Sequence, residues 1–299
     1  MARQNTSKPR ANVYTRITNT IVAAIETGTS SYDMPWHHSG GALSRPANVA
    51  SGNAYRGVNI LALWASGMGQ GFESGLWGTY RQWKTCGAQV RKGERGSPIV
   101  FYKRLDSGED DQASDDQDRP RLVARAHTVF NLAQVENYDA PSFTALPESE
   151  RIARAETFFQ NLNIETEFGG GGAYYRPSTD KVHMPPFGQF KSAAGFYSVY
   201  GHECGHASGS EDRLDRDLTG RFGDEKYAME ECIVELASSY LMADLAIACE
   251  PRPDHAAYIS SWLKVLKNDP RAIFSAAAEA QRIADWMHAQ QPSCDAQAA

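Results

Sequence analysis

The stretch "YSVYGHECGHASG" (197–209) constrains the fold more than any other, because two histidines, His202 and His206, bracket Glu203. On an α-helix, residues four positions apart lie on the same face, so the two imidazoles can reach one metal ion. Glu203 then lies beside the open coordination position of that ion, where it can take a proton from water and return it to a leaving amine. The stretch therefore predicts a helix over residues 191–208 that carries a hydrolytic metal site, with Glu203 as its catalytic residue.

Such a site needs a third protein ligand, and three carboxylates compete for this position. Glu231 and Glu235 are one turn apart in "CIVELASSYLMADLAIAC", which is apolar almost all round and predicts a buried helix. A buried carboxylate needs a partner, which can be a metal ion or an arginine. We favour Glu231 as the ligand, with Glu235 orienting a histidine N–H. The alternative is Asp212, ten residues after His202, where one class of zinc proteases carries its third ligand.

The ligand types limit the choice of metal without fixing it. Two histidines and one carboxylate suit Zn²⁺ and also accept Mn²⁺ or another divalent ion. Ahead of the metal helix, "AYY" and "KVHM" flank a "PSTD" turn, which predicts a β-hairpin. A strand such as "KVHM" could pair with an extended peptide, and Tyr174 or Tyr175 could donate to an oxyanion. Tyrosines at strand positions belong more often to a core.

The net charge of −6 hides an asymmetry along the chain. Residues 1–104 carry 13 Lys/Arg against four acids, which leaves +9. Residues 105–120 carry seven acids and one arginine, which leaves −6, so the remainder carries −9. A basic half, an acidic spacer and an acidic half predict two modules with different partners.

The basic half interleaves aromatic and cationic residues in "WGTYRQWKTCGAQVRKGERG" (77–96). Cations neutralise phosphates and aromatic faces stack on unpaired bases, so this composition is typical of single-stranded DNA binding. If residues 77–87 form one helix, Trp77, Tyr80 and Lys84 share a face. The alternative is that the tryptophans are core residues and the cations are solvated. The candidate nucleic-acid-binding residues are Arg56, Trp77, Tyr80, Arg81, Lys84, Arg91, Lys92 and Arg95.

The order of predicted elements indicates an α+β fold. Helices are expected at residues 12–27, 55–67, 147–162, 225–248 and within 255–289, and residues 122–135 are expected to pair with 98–103 around the acidic stretch. We predict a single-stranded DNA-binding domain at residues 1–140, with an acidic insertion at 105–120, and a metallopeptidase-like domain at 141–299. The five cysteines are scattered and no signal-peptide core is visible, so we expect a cytoplasmic protein with no membrane partner.

Several short motifs stand in a characteristic order along the chain. Those of the first half are "PW", "YRGVNILAL", "W-TYRQW", "GAQVRKGERG" and "VFNLAQ". Those of the second half are "AYYRPSTDKVHMPP", "GHECGHASG", "RLDRDLTGRFG" and "YAMEECIVELASSYL". With these motifs the chain resembles the ArdC-type antirestriction family over about residues 12–250. The first half is also similar to a domain at the front of TraC-type primases of conjugative plasmids.

This resemblance implies a small mixed domain that binds single-stranded DNA, followed by a zincin-like HExxH domain. It also implies protection of incoming plasmid DNA from restriction, and it places the metal residues at His202, Glu203, His206 and Glu231. Whether the metal domain cleaves a host restriction or defence protein, or only supports a DNA-shielding module, stays open.

Overall fold

The computed structural model describes residues 12–29, 34–37, 45–105, 121–140, 147–220, 224–249 and 255–292. Within these residues the chain is an α+β protein in which most of the strands belong to the first half and most of the long helices to the second. None of the described helices is long and apolar enough to cross a membrane. The acidic residues 106–120 lie outside the described part.

In the first half, two helices pack on a small antiparallel-rich sheet. The described elements in order are α1 (Val13–Gly28), β1 (Ala47–Asn48), α2 (Val58–Gln70), β2 (Leu76–Gly78), α3 (Tyr80–Thr85), β3 (Gln89–Val90), β4 (Ser97–Leu105), β5 (Arg121–Asn131) and β6 (Val135–Glu136). The main sheet has the order β1-β2-β5-β4, with β1 and β2 parallel and the other pairs antiparallel, and β3 pairs with β6. The predicted pairing of residues 98–103 with 122–135 is confirmed, since β4 and β5 form one long hairpin.

The prediction of one helix over residues 77–87 was wrong. Trp77 lies in β2, and the helix begins only after Thr79, whose side chain accepts a hydrogen bond from the Gln82 backbone N–H in a capping box. At Gly78 a Cβ would lie 2.7 Å from Val49 Cγ1, so a larger residue would require the Val49 side chain to shift. Local capping and close packing therefore override the helical spacing of the aromatic residues.

In its described residues the second half consists of five α-helices and a three-stranded sheet that packs against α5. They are α4 (Glu148–Gln160), β7 (Thr166–Phe168), β8 (Tyr174–Arg176), β9 (Lys181–Met184), α5 (Ala193–Ala207), α6 (Glu225–Asp244), α7 (His255–Asn268) and α8 (Ala272–Ala289). The predicted hairpin is confirmed, with β8 antiparallel to β9, and β7 runs parallel to β9 on its other side. Helix α6 packs against α5 and α8 and forms the centre of this half.

The two halves share one continuous hydrophobic core. Helix α1 packs on α7, and α2 packs on α8. Ion pairs join the basic half to the acidic half across this contact: Arg45 with Asp244 at 2.8 Å, Arg56 with Asp285 at 2.5 Å and Lys267 with Glu26 at 2.7 Å. In two of these pairs, those of Arg45 and Arg56, a cation of the basic half neutralises an acid of the acidic half.

Candidate metal centre and nucleic-acid surface

The helix that carries the histidine pair approaches α6 closely because it has glycine on the contacting side. A Cβ at position 201 would lie 3.0 Å from Ser238 Oγ, and one at position 205 would lie 3.1 Å from Val234 Cβ. Glycine costs about 1 kcal/mol of helix propensity relative to alanine. The close approach offsets this cost, because it lets the carboxylates of α6 reach the imidazoles of α5.

Three side chains from these two helices converge on one point. His202 Nε2 lies 3.3 Å from Glu231 Oε2, and His206 Nε2 lies 3.4 Å from Glu231 Oε1. One ligand atom from each of the three residues lies within 4.8 Å of the others. Donor atoms bound tetrahedrally to Zn²⁺ at about 2.0–2.1 Å are about 3.3–3.4 Å apart, so the observed spacing suits a small divalent ion.

The outer nitrogen of each imidazole faces a second carboxylate. His202 Nδ1 lies 3.4 Å from Glu235 Oε2, and His206 Nδ1 lies 3.2 Å from Glu230 Oε1. The contact of His206 Nδ1 with Glu230 is a hydrogen bond, which favours a proton on Nδ1 and leaves Nε2 for a metal ion, whereas His202 Nδ1 faces Glu235 at ion-pair distance. The geometry agrees with the orienting role inferred for Glu235. Glu230 was missed, although it directly precedes Glu231 in the sequence.

Burial and charge act against each other at these groups. Burial lowers the pKa of His206, but hydrogen bonds with Glu230 and Glu231 outweigh it and raise that pKa to about 9. Burial raises the pKa of Glu231, but hydrogen bonds with His202 and His206 outweigh it and hold it well below its usual range. A divalent cation that binds here takes the place of the proton on His206 Nε2, because two imidazoles and an ionised carboxylate directed at one point are a donor set for such an ion.

The three residues open onto a cavity of about 300 Å³. Its walls include Glu203, both strand tyrosines Tyr174 and Tyr175, and Tyr227 of α6. Burial, a hydrogen bond with Tyr258 and the nearby carboxylate of Glu231 raise the pKa of Tyr227, so its phenol stays neutral and can donate a hydrogen bond. Sequence reasoning missed Tyr227, which lies one turn before Glu231 on the same helix.

The structure bears on two further predictions from the sequence, which concern Asp212 as the third ligand and "KVHM" as a strand that binds a peptide. Asp212 is exposed and lies outside the cluster that the described residues form. The "KVHM" strand, β9, is paired on both sides, so it cannot take up a peptide. The outer strand β8 contributes Tyr174 and Tyr175 to the cavity wall instead.

The candidate nucleic-acid residues divide into buried and exposed ones. Trp77 was assigned wrongly: its side chain is 2% exposed and packs against Phe72, so it cannot stack on a base. Because Trp77 lies in β2, its side chain points into the core, which agrees with the alternative interpretation that the tryptophans are core residues. Arg56 is exposed but paired with Asp285. Arg91 is bound to Glu94 at 2.7 Å and to the Ala133 carbonyl at 2.5 Å, which holds the β3–β4 turn.

The other candidates remain on the surface. Tyr80, 49% exposed, lines a groove of about 460 Å³ together with Arg91 and Lys92. Arg81, Lys84 and Arg95 are also exposed.

A second aromatic and basic surface lies on the β4–β5 hairpin. Phe101 is 52% exposed and pairs in register with Arg125, and its ring lies 5.2 Å from the ring of His127. Because paired and alternate residues of a hairpin share a face, these three side chains lie together. Sequence reasoning did not select them, although the alternation in "ARAHT" was a signal.

Comparison with known proteins gives two family models that match this chain, one in each half. A family model described as zincin-like metallopeptidase matches residues 153–279, and the model of the N-terminal domain of the anti-restriction factor ArdC matches residues 11–130. The second half is thus a zincin-like metallopeptidase domain.

Solved structures and curated sequences extend this relationship to the whole chain. The Mn(II)-bound crystal structure of the antirestriction protein ArdC from plasmid R388 is 35% identical, with a TM-score of 0.75 over 93% of this chain and 98% of that one. The metal-free structure of the same protein is 34% identical, with a TM-score of 0.74 over 93% of this chain and 97% of that one. The chain therefore belongs to the ArdC antirestriction family.

Curated relatives include one of similar length and one much longer. The Sinorhizobium fredii (strain NBRC 101917 / NGR234) protein y4eC is 56% identical over 97% of this chain and 96% of its own length. DNA primase TraC from Escherichia coli is 36% identical over 91% of this chain, which spans 26% of the primase.

Proposed function

We propose that this protein binds single-stranded DNA and protects incoming plasmid DNA from host restriction, and that it holds a divalent metal ion, Zn²⁺ or Mn²⁺, at His202, His206 and Glu231. The observation that supports the DNA-binding part most directly is the exposed set of Tyr80, Arg81, Lys84, Lys92 and Arg95, next to a groove in the basic half.

The chemistry of this surface favours unpaired strands. Tyr80 offers an exposed ring for base stacking, which is tolerant of sequence, and the lysines and arginines offer counter-charges to phosphates. The rings of Phe101 and His127 and the charge of Arg125 add a second surface of the same character. An aromatic ring that stacks needs a base outside the duplex, so we expect weaker binding to double-stranded DNA.

Titration of oligonucleotides over a range of salt concentrations tests this proposal. Lys84→Glu with Lys92→Glu should weaken single-strand binding about tenfold or more for all sequences, and the slope of log affinity on log salt should decrease by about 1.4, or 0.7 per lost phosphate contact. Lys264→Glu on α7, an exposed side chain, makes the same charge change as either single substitution and is the matched control for Lys84→Glu and Lys92→Glu measured one at a time. Salt-insensitive binding, or equal affinity for duplex, would contradict the proposal.

The metal centre has the parts of a hydrolytic site. A divalent ion, when bound, supplies a Lewis acid that polarises a carbonyl. Glu203 lines the cavity beside both histidines and is 3% exposed, so it can accept a proton from a water molecule and pass it to a leaving amine. The Tyr227 phenol can donate a hydrogen bond to a developing oxyanion, and β8 offers an outer strand for an extended peptide.

A second candidate function follows from Glu203, which a structural metal site would not need. In this case the protein cleaves a host restriction or defence protein, and DNA binding serves to localise it. Transfer of unmodified plasmid into a restricting host separates the two candidates. If Glu203→Ala protects as well as wild type while the Lys84/Lys92 variant does not, proteolysis is not required. If Glu203→Ala loses protection with DNA and metal binding intact, the protease interpretation is supported.

A further inference from the structure

A short segment of the first half reaches the metal centre of the second. Residues 34–37 are buried, and two of their side chains contact the same carboxylate oxygen. Trp36 Nε1 lies 3.3 Å from Glu235 Oε1, and His37 Nε2 lies 3.3 Å from the same atom. The Trp36 indole also packs on the ring of Trp262, which donates to the Ala228 carbonyl of α6. The segment is thus fixed against the helix that carries Glu231.

The hydrogen bonds define the tautomer of His37. The Met34 backbone N–H donates to His37 Nδ1 at 3.0 Å, so Nδ1 carries no proton in the neutral ring. The proton is then on Nε2, which donates a hydrogen bond to Glu235 Oε1. The Trp36 indole N–H is a donor only. Glu235 Oε1 therefore receives two N–H groups from adjacent residues of the first half.

The second oxygen of Glu235 is left for the metal ligand. Glu235 Oε2 lies 3.4 Å from His202 Nδ1, and His202 Nε2 faces Glu231. With Oε1 held from the other side, Glu235 is kept in the position from which Oε2 faces His202 Nδ1. Trp36 and His37 thereby influence the orientation of the His202 imidazole, and with it the direction of the Nε2 lone pair, through one residue, Glu235.

The other histidine is held from within the second half. Glu230, which contacts His206 Nδ1, is bound by Arg216 at 2.5 Å, and Arg216 also donates to the Gly205 carbonyl near the end of α5. The two imidazoles of the centre therefore depend on different halves of the chain. A carboxylate as buried as Glu235, at 3% exposure, needs donors to remain ionised there.

We propose that Trp36 and His37 are positioning residues of the metal centre, so that the DNA-binding half completes the site of the zincin-like half. This inference rests on the proposed ligation by His202, His206 and Glu231. It gives a physical reason for the fusion of the two modules, since Trp36 and His37, which both donate to Glu235 Oε1, belong to the first half.

Metal affinity of the full-length protein tests the inference, measured for Mn²⁺ and Zn²⁺ by competition with a chromophoric chelator. Outer partners of metal ligands change affinity by about 10–100-fold. His37→Leu should therefore weaken metal binding about tenfold, and Trp36→Phe should do so severalfold. His37→Gln keeps an N–H near the position of Nε2 and should retain most of the wild-type affinity.

Two comparisons separate positioning from general stability. Trp83→Phe removes a buried indole N–H that donates to the Phe130 carbonyl at 3.0 Å, with the same change of volume but far from the metal, and should leave metal affinity within twofold of wild type. Trp36→Phe should be non-additive with Glu235→Gln, through which it acts, and additive with Glu230→Gln. Unfolding in denaturant reports the stability of each variant.

The outcomes are distinguishable. If His202→Ala retains the metal, the proposed ligation itself fails. If His202→Ala loses the metal but Trp36→Phe and His37→Leu bind it within twofold of wild type, the ligation stands and the inference is overturned. Additivity of Trp36→Phe with Glu235→Gln also overturns it. Non-additivity, with Trp83→Phe unchanged and His37→Gln retaining affinity, supports it.

Discussion

The metal centre and the nucleic-acid surface of this protein are built in opposite ways. At the centre His202, Glu231 and Glu235 are all buried, and each is fixed by a named atom of another helix or segment. On the surface, Lys84 and Lys92 extend into solvent. The centre is a connected network in a low-dielectric environment, and the surface is a set of separate charges.

This difference predicts how each region responds to substitution. Removing one member of a buried polar network leaves its partners unsatisfied, which costs more than the lost contact itself. Removing one exposed charge changes binding by one phosphate contact and hardly changes folding. We therefore expect large, coupled effects at the centre and small, additive effects at the surface.

The largest effect is expected at the ligands. His202→Ala and His206→Ala should each weaken metal binding by more than about 100-fold, and Glu231→Gln should have a comparable effect. Glu235→Gln should be milder, and Asp212→Asn should change nothing, because its carboxylate is exposed outside the cluster. Elemental analysis of the purified variants measures this. If Asp212→Asn loses the metal while Glu231→Gln retains it, the third ligand is Asp212 and not Glu231.

A pair of aromatic substitutions in the first half sharpens the comparison. Trp77→Phe should lower the free energy of unfolding by about 1–3 kcal/mol and leave single-strand affinity unchanged, because the ring is buried. Tyr80→Ala should weaken single-strand binding by about 1–3 kcal/mol and change stability by less than about 0.5 kcal/mol. Denaturant unfolding and oligonucleotide titration measure the two quantities. The reverse pattern would show that Trp77 is accessible to DNA.

A smaller effect is expected where α5 and α6 touch. In Gly205→Ala the new Cβ meets Val234 Cβ at 3.1 Å, so α6 must shift, and metal affinity should fall severalfold. Overpacking costs about 1–3 kcal/mol, and alanine regains about 1 kcal/mol of helix propensity, so stability should change little or fall modestly. Gly69→Ala, in a helix with open space around the position, is the control and should stabilise slightly. Unchanged metal affinity in Gly205→Ala would show that the helix contact does not set the ligand spacing.

The smallest effect is expected at the ion pair that ties the β8–β9 turn to the segment after α5. Arg213 binds Asp180 at 2.6 Å and lowers the pKa of that carboxyl. A carboxyl with a lowered folded-state pKa stabilises above its unfolded pKa of 3.8, and this contribution is lost as the pH falls through the folded value. Because the pair is partly exposed, Asp180→Asn should cost only about 0.5 kcal/mol at pH 7 and nothing at the acid end. Denaturant unfolding at several pH values measures this, and a pH-independent cost would contradict it.

Periodicity and motif spacing were sufficient for much of the fold. The long helices, the two hairpins and the shared helix face of His202 and His206 follow from patterns within single segments, and the apolar surroundings of Glu231 made it a candidate third ligand. Local patterns failed where neighbours in space decided the outcome. At residues 77–87 the spacing of aromatic residues fits a helix, but the contact of Gly78 with Val49 and the cap at Thr79 divide the segment into a strand and a short helix.

The sequence alone determined that two histidines share a helix face with a glutamate beside them, and that basic and aromatic residues concentrate in the first half. The tertiary structure decided which of those aromatic residues are exposed, that Glu230 and Tyr227 join the metal centre, and that Trp36 and His37 reach Glu235, about 200 positions away. The reason is physical: a helix fixes the relative positions of residues within a few turns, whereas the partner of a buried polar group is set by the packing of segments distant in the chain.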